Sequence, residues 1–512
     1  MKKVLFIIAS MLTAFASAQE TYEIANLETG DLNGTSRYVG MGGAMEALGA
    51  DISTISTNPA GLGLFRKNQF TTTMGLVAQQ GEKSFASSNK SNVSFDQIGM
   101  VLAFQTAPTS YMNFGFNYHK SRNFCQILRV ADRLDGASQS KLTFDKFKWG
   151  YITSDQDYTY SQVDLLYHET LYDMNLINND GSFNNMAERF NGDSYTYGMG
   201  NHGYIGDYDF NISGNINNRV YLGATLGIHD VNYRGYTLYD ETVKANNAGL
   251  QTATLEDHRD IDGTGIDLKM GVIFRPIAES PFRVGLYLHT PTFYSLTSYN
   301  RTGLQLNDQY YELYSPNPRA GELKYEFCTP WKFGVSLGHT VDNYLALGAT
   351  YEFSDYGSTD ARIKNNDDYY DYWDDSESDD AMNAHVKETL KGVSTLKLGA
   401  EYKPDEDVAI RVGYNYVSPM YQDDAYRGVD VQSLGNYYAS TTDYINWKST
   451  HRLTLGLGFS LSDKVKLDIA YQYRTQKGEF MPFAGSDNDN LPFVKDVKNT
   501  RNQWMATVAY TF

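Results

Sequence analysis

The chain has 512 residues, 41 tyrosines, 26 phenylalanines, only two cysteines, and a formal net charge of −18. That charge argues against a nucleic-acid partner, and two widely spaced cysteines, Cys125 and Cys328, exclude a framework of small-domain disulfides. A single bridge or two free thiols both fit. No run of about 18 apolar residues follows the leader, so no transmembrane helix is expected, and entry into a membrane would have to be through strands.

Residues 1–18 read as a secretory leader: Lys2 and Lys3, an apolar run from Val4 to Ala16, then Ala16-Ser17-Ala18 before Gln19. Export is the consequence. The next stretch, Gly34 to Gly63, reads GTSRYVGMGGAMEALGADISTISTNPAGLG. It has too much glycine for a surface helix and too few charges for a solvated linker. Met41, Ala44, Met45, Ala47 and Leu48 predict a short apolar helical turn that needs a wall to pack on, and Asn58-Pro59-Ala60-Gly61 predicts a tight turn capped by the asparagine. Residues 19–66 are therefore expected to be a small folded plug.

From there to the end, residues 67–512 alternate apolar and polar with period two. Leu222, Leu226 and Ile228 oppose Tyr221, Thr225 and His229, and Ile410 and Val412 oppose Ala409 and Arg411. Taking each such run as a strand places them at 68–80, 93–105, 111–121, 202–213, 219–234, 264–275, 281–296, 323–339, 343–356, 391–403, 407–418, 449–460, 464–476 and 499–512. The expected fold is an all-β transmembrane antiparallel barrel of about fourteen strands, an even number within the bacterial range. Short connections (106–110, 214–218, 276–280, 340–342, 404–406, 462–463) alternate with long polar ones, as in outer-membrane barrels whose short turns face the periplasm. A soluble sandwich has no reason to sort its loops this way.

Pro330 removes a ladder donor within 323–339. It marks either a bulge or opening, or the start of a regular strand at Trp331, and the second is the expectation. The loop from about Arg122 to Gly200, with Phe144, Phe147, Trp149, Tyr158, Tyr160 and Tyr167, is expected to fold over the barrel mouth. A later run from Asp367 to Asp375, followed by Glu377, Asp379 and Asp380, offers carboxylates to a divalent cation at a lipopolysaccharide surface, but without fixed ligand spacing it reads first as a solvated acidic loop. No metal site or cofactor is expected. At the C-terminus Trp504, Ala506, Val508, Tyr510 and Phe512 share one face, and the terminal Phe512 with Tyr510 resembles the signal read by the barrel-assembly machinery.

The leader, the glycine-rich stretch with Asn58, Pro59 and Ala60, and about fourteen strands ending in Phe512 together resemble the FadL/TodX family of outer-membrane transporters of long-chain fatty acids and other hydrophobic compounds. The resemblance implies an N-terminal hatch plugging the barrel, passive uptake of a hydrophobic small molecule, and lateral exit through a gap made by a kink in the third strand. That strand, Tyr111 to Ser121, has only Gly115 as a weak point. Lumen-facing ionisable positions include His119, Asp207, Asp209, His229, Asp267, Lys269, Arg283, His289, Glu352 and Arg411. Arg283 and Arg411 are candidate contacts for a ligand carboxylate; the alternative, that these charges pair among themselves and anchor the plug, is favoured because charges away from water must be paired.

Two other classes fit the sequence less well. A barrel enzyme would need a nucleophile elbow or an H-E-x-x-H run, and neither occurs. A haemin receptor would use loop His and Tyr residues such as Tyr167, His168, His202 and His385, but a plug of about sixty residues and far fewer than about 22 strands do not suit a large energised receptor.

Overall fold

The computed structural model describes residues 20–148, 163, 191–244, 251–306, 309–312, 321–364, 376–428, 431, 433, 439–484 and 494–512. The leader and the aromatic positions from Trp149 to His168 lie outside the described residues, as does the acidic run from Asp367 to Asp375. No described helix is long and apolar enough to cross a membrane.

Fourteen antiparallel wall strands close into a barrel. They are β1 Gln69–Gln79, β2 Ser91–Ala107, β3 Ser110–Asn123 continued by Gln126–Arg133, β4 Gly192–Ile216, β5 Val220–Val243 and β6 Thr252–Phe274. Then come β7 Arg283–His289 with Phe293–Leu306, β8 Gly321–Cys328 with Lys332–Val341, and β9 Leu345–Asp355 with Asp360–Lys364. Last are β10 Gly392–Tyr402, β11 Val408–Val417, β12 Tyr444–Ser460, β13 Val465–Met481 and β14 Lys495–Thr511. Each strand pairs with the next, and β1 pairs with β14 from Gln69↔Thr511 to Gln79↔Arg501, so the sheet has no free edge. Every strand expected from alternation is present, and the upper ends of β4, β5 and β6 run well beyond the expected limits.

The faces are inverted relative to a soluble protein. Phe70, Met74, Leu226, Ile228, Leu286, Ile410, Val412, Leu455 and Trp504 point outward and are exposed, whereas Thr71, Thr225, His229, Arg411 and Asp468 point inward and are buried. An outward apolar face around a polar interior is what a barrel in lipid requires, since every backbone donor must be satisfied within the wall. Short turns at 108–109, 217–219, 342–344 and 461–464 share one end.

Two adjacent strands break at one height. Pro291 splits β7 and Pro330 splits β8; Thr329 donates its backbone N–H to the Thr292 carbonyl (3.1 Å), and the Thr292 N–H is taken by the Thr329 hydroxyl (2.8 Å). This corrects the expectation that the regular strand starts at Trp331: ladder runs on both sides of Pro330, and the proline sits at a kink. In β3 the ladder continues past Gly115, with a bulge between Lys120 and Arg122. Cys125 and Cys328 are both free thiols.

The N-terminal segment lies inside. Helix α1, Thr21–Glu28, is followed by the short helix α2, Ser36–Gly40, capped by Thr35, and by 3-10 turns Ile52–Ser56 and Pro59–Leu64. The helical turn expected over 41–48 is instead a pair of tight turns, because Gly42 (φ +64°) and Gly43 (φ +79°) reverse the chain there.

Candidate functional site

The stretch Ser36–Leu64 is fixed to the wall by backbone contact. Gly338, Gly348, Gly399 and Gly413 are successive cross-strand partners on β8, β9, β10 and β11, and together form a row of missing side chains. A Cβ at Gly348, Gly399 or Gly413 would collide with the backbone of Ala44, Met41 or Gly42, and one at Gly338 would press at 3.1 Å on Ala47. A second bare patch receives the Asn-Pro turn: Gly223 and Gly271 are partners on β5 and β6, and side chains there would strike Pro59 and Asn58. Asn58 is fully buried and its side-chain oxygen accepts from the Ala60 N–H (3.2 Å), capping the turn that Pro59 begins. Ala60 and Gly61 are buried with it, and Gly61 accepts from the Ala50 N–H (3.1 Å).

Short ion pairs add to this. Arg37 binds Glu401 through two nitrogens (3.0 and 3.1 Å), and Arg411 binds Glu401 (2.6 Å) and Asp468 (2.5 Å). Glu46, fully buried, takes Lys397 (2.9 Å) and the hydroxyls of Thr350 (2.7 Å) and Tyr38 (3.2 Å). Arg283 donates to the Leu48 carbonyl (2.7 Å). Neither Arg283 nor Arg411 lines the cavity beside α1; Arg411 is held by two wall carboxylates and Arg283 by the Leu48 carbonyl.

Further round the wall, His119, Asp207, Asp209, His229, Asp267 and Lys269 form one lattice, while Glu352 lies 3.6 Å from Lys397. His229 bridges Asp207 (2.8 Å) and Asp267 (3.2 Å), Lys269 bridges Asp209 (2.9 Å) and Asp267 (3.1 Å), and the Ser56 hydroxyl donates to Asp209 (2.7 Å). His289 meets the Thr57 carbonyl at 2.7 Å. Among the described residues no group of His, Cys, Asp and Glu has the arrangement of a metal site. His385 is engaged on both nitrogens, by the Thr21 hydroxyl (2.8 Å) and the Gly428 N–H (3.0 Å), and Asp379 caps helix α3, Asp380–Thr389.

On the long-loop side of this floor is a cavity of about 450 Å³. Helix α1 lies along it. Tyr22 stacks on Tyr421 (5.1 Å between centroids) and donates to Asn446 (2.8 Å), while Tyr294, Tyr356, Tyr444 and Trp447 complete an aromatic wall. The cavity also reaches Thr290, Thr292, Thr329 and Pro330 at the double kink. Its charged lining includes Glu20, Glu23, Arg259 and Arg427, with Arg259 paired to Glu23 and Arg427 3.6 Å from Glu20. Burial pushes the Glu28 carboxyl up to about 8, partly opposed by the hydrogen bond it accepts from Thr359 (2.6 Å). Sequence reasoning missed Asp31, Arg122, Arg452, Arg474 and Arg501, which converge beside α1, because only strand register brings them together.

No family model and no curated protein matches this sequence. Among solved structures the chain is similar to a Pseudomonas aeruginosa FadL homologue, with 12% identity, a TM-score of 0.50, and coverage of 98% of this chain and 100% of that one. The Ralstonia pickettii toluene transporter TbuX (11% identity, TM-score 0.47) and the P. putida toluene transporter TodX (10%, 0.47) each align over 94% of this chain and 99% of their own. At these identities the likeness is one of architecture, and in architecture this chain is a FadL-type barrel: fourteen antiparallel strands closed around a buried N-terminal segment.

Proposed function

We propose that this protein sits in the outer membrane of a Gram-negative bacterium and takes up hydrophobic or amphipathic small molecules passively, with residues 1–18 a removed leader, 19–66 a hatch and 67–512 the barrel. The observation that supports this best is the aromatic cavity whose floor is blocked by a segment seated backbone to backbone on the wall. A ligand admitted between the long loops cannot pass straight down without unseating that floor, so the route out of the cavity is sideways. The aromatic lining favours an apolar ligand, a class that takes in toluene and long-chain fatty acids alike. Outer-membrane lipid and lipopolysaccharide are the surroundings this reading implies, and the barrel-assembly machinery its partner in biogenesis, with Tyr510 and Phe512 as the signal. The reading needs no catalytic residue and no cofactor.

The lateral exit is assigned to the double kink. Pro291 and Pro330 contribute no N–H, the cavity lining reaches Thr290, Thr329 and Pro330, and the outer face beside them carries exposed Phe293, Trp331 and Phe333. Ligand leaving there meets lipid, not water. The test is uptake of labelled oleate, toluene and haemin in a Gram-negative host lacking its own transporters, comparing the native chain with a Pro291→Ala/Pro330→Ala double variant. Uptake of oleate or toluene that falls in the double variant supports the reading. Apolar uptake equal in both variants removes the proposed exit, and haemin uptake alone removes the apolar ligand class.

A further inference from the structure

Three arginines stand side by side across the upper wall. Arg452 on β12 is the direct cross-strand partner of Arg474 on β13, which is the direct partner of Arg501 on β14, and all three are buried. Arg122, on β3 just before its break at 124–125, faces them across Asp31. Like charges opposite one another on a sheet repel, so such a row needs counter-charge. Among the described residues, one carboxylate reaches these arginines.

That carboxylate is Asp31, three residues beyond α1. One of its oxygens lies 3.3 Å from Arg474, 3.7 Å from Arg452 and 3.9 Å from Arg122, and the other accepts from the Asn123 N–H at 3.0 Å. None of the three guanidinium distances reaches the range of about 2.7–2.9 Å typical of tight charged hydrogen bonds. The remaining contacts are neutral: Arg452 to Asn415 (2.8 Å) and the Gly30 carbonyl (3.3 Å), Arg474 to Gln476 (3.1 Å), Arg122 to Asn26 (3.1 Å), Arg501 to the Asn123 carbonyl (3.1 Å). In all four arginines the Nε–H is buried without a partner among the described residues. The lower lattice differs, since Arg37 and Arg411 there hold two carboxylates at 2.5–3.1 Å.

The cage is open to ligand space. Arg122, Arg452 and Arg474 line the large cavity, and Arg474 and Arg501 line a smaller one shared with Asp31, Asn33 and Lys120. Burial would raise the Asp31 carboxyl, but Arg474, Arg122, Arg501 and Arg452 outweigh burial and hold it well below the usual carboxylate range.

We propose that this four-arginine cage is a binding site for a phosphate-class oxyanion on an amphiphile, and that Asp31 is its internal occupant, displaced when the anion enters. A carboxylate is already present and leaves three cations unmatched; a phosphate monoester brings about −1.5 to −2 charges and three acceptor oxygens, which suits planar guanidinium forks. Its tail would lie against Tyr22, Tyr421 and Tyr444. Displacing Asp31 also removes one of the links that hold α1, so binding weakens the seat of that helix.

The inference rests on the reading of the cavity as ligand space, and binding is therefore measured apart from uptake. Calorimetry on the full chain in nanodiscs would compare dodecyl phosphate, dodecanol and inorganic phosphate. Expected are binding of dodecyl phosphate at least about tenfold tighter than dodecanol, a further tightening of about tenfold in Asp31→Asn, and in Arg474→Gln a loss for dodecyl phosphate about tenfold greater than for dodecanol. Inorganic phosphate binding as tightly as dodecyl phosphate would keep the oxyanion site and assign it to the free ion, overturning the amphiphile. Dodecyl phosphate that binds like dodecanol, or is indifferent to Arg474→Gln, overturns the site. Should Arg474→Gln fail to assemble, Asp31→Asn and Arg474→Lys decide: no tightening in the first and no weakening in the second overturns it. Binding without uptake would instead overturn the transport reading alone.

Discussion

The inner segment is held in two different ways along its length. From Ser36 to Leu64 it touches the wall backbone to backbone over glycines and through short, matched ion pairs. From Thr21 to Asp31 it is held mostly by side chains reaching across space: ring contacts of Tyr22, the Glu23–Arg259 pair, several single hydrogen bonds, and a carboxylate shared at 3.3 Å or more by three arginines, with one backbone bond from the Asp31 N–H to the Ser121 carbonyl (2.7 Å). Contacts of the first kind cannot loosen gradually, because close-packed backbone has no intermediate position. Those of the second kind can be exchanged one at a time for ligand contacts. By this contrast the lower stretch is expected to stay and the upper to move.

The largest effect should come from filling the glycine row. Gly399→Leu places a side chain where the Met41 backbone lies; overpacking costs about 1–3 kcal/mol or more, and the segment should fail to seat while the lipid-facing wall stays intact. Conductance in planar bilayers should rise several-fold, and unchanged conductance would show that the row does not seat the segment. Deleting Phe512 acts on the wall instead, where its N–H closes onto the Asn68 carbonyl (3.1 Å) and its ring stacks on Tyr510. The yield of heat-modifiable barrel should fall, with normal conductance in whatever assembles; normal yield removes the assembly role.

Asn58→Ala is milder. It removes the cap of the Pro59–Leu64 turn, worth about 1 kcal/mol, and should change apolar uptake without lowering barrel yield; unchanged uptake in correctly inserted protein counts against a gating role for that turn. The smallest effect is confined to α1. The Glu28 carboxyl titrates near 8 when buried, above its value in the free chain, so the protonated form favours docking. Docking strength is fully present at low pH, declines above the ordinary glutamate range and is lost as pH rises through about 8. A spin label on α1 should become more mobile between pH 7 and 9, and Glu28→Gln should abolish the change. Mobility that ignores pH in both chains would remove Glu28 as the holding group.

Much of the wall was legible because lipid imposes a strict rule: runs such as Leu222, Leu226 and Ile228 against Tyr221, Thr225 and His229 have no other use. Above the lipid band both faces meet polar surroundings and the rule lapses, which is why β4 begins at Gly192, ten residues before the expected limit. Pro330 was misread because one strand seen alone cannot reveal that its neighbour breaks at Pro291 at the same height. The paired charges of the lower lumen were foreseen in kind, since inward ionisable positions must find partners. The glycine row and the arginine cage were invisible for a shared reason. Gly338, Gly348, Gly399 and Gly413, or Arg452, Arg474 and Arg501, are neighbours only through register, and register is set by turns whose lengths the sequence leaves loose.

The glycine row also dictates an order of events during biogenesis. The segment that docks on it is among the first parts of the chain to be made, yet Glu46 meets Lys397 across 351 positions and Ser36 meets Thr507 across 471. Its landing surface does not exist until β8 to β11 have paired, and its last hydrogen bonds wait for β14. The N-terminal stretch must therefore travel undocked while the wall grows, with only its internal contacts, such as Thr35 to Asp51 (2.8 Å), to hold it together. Contacts between residues so far apart in sequence form late, so seating of the segment is expected to come last, and a pulse-labelled barrel should conduct briefly before it falls silent.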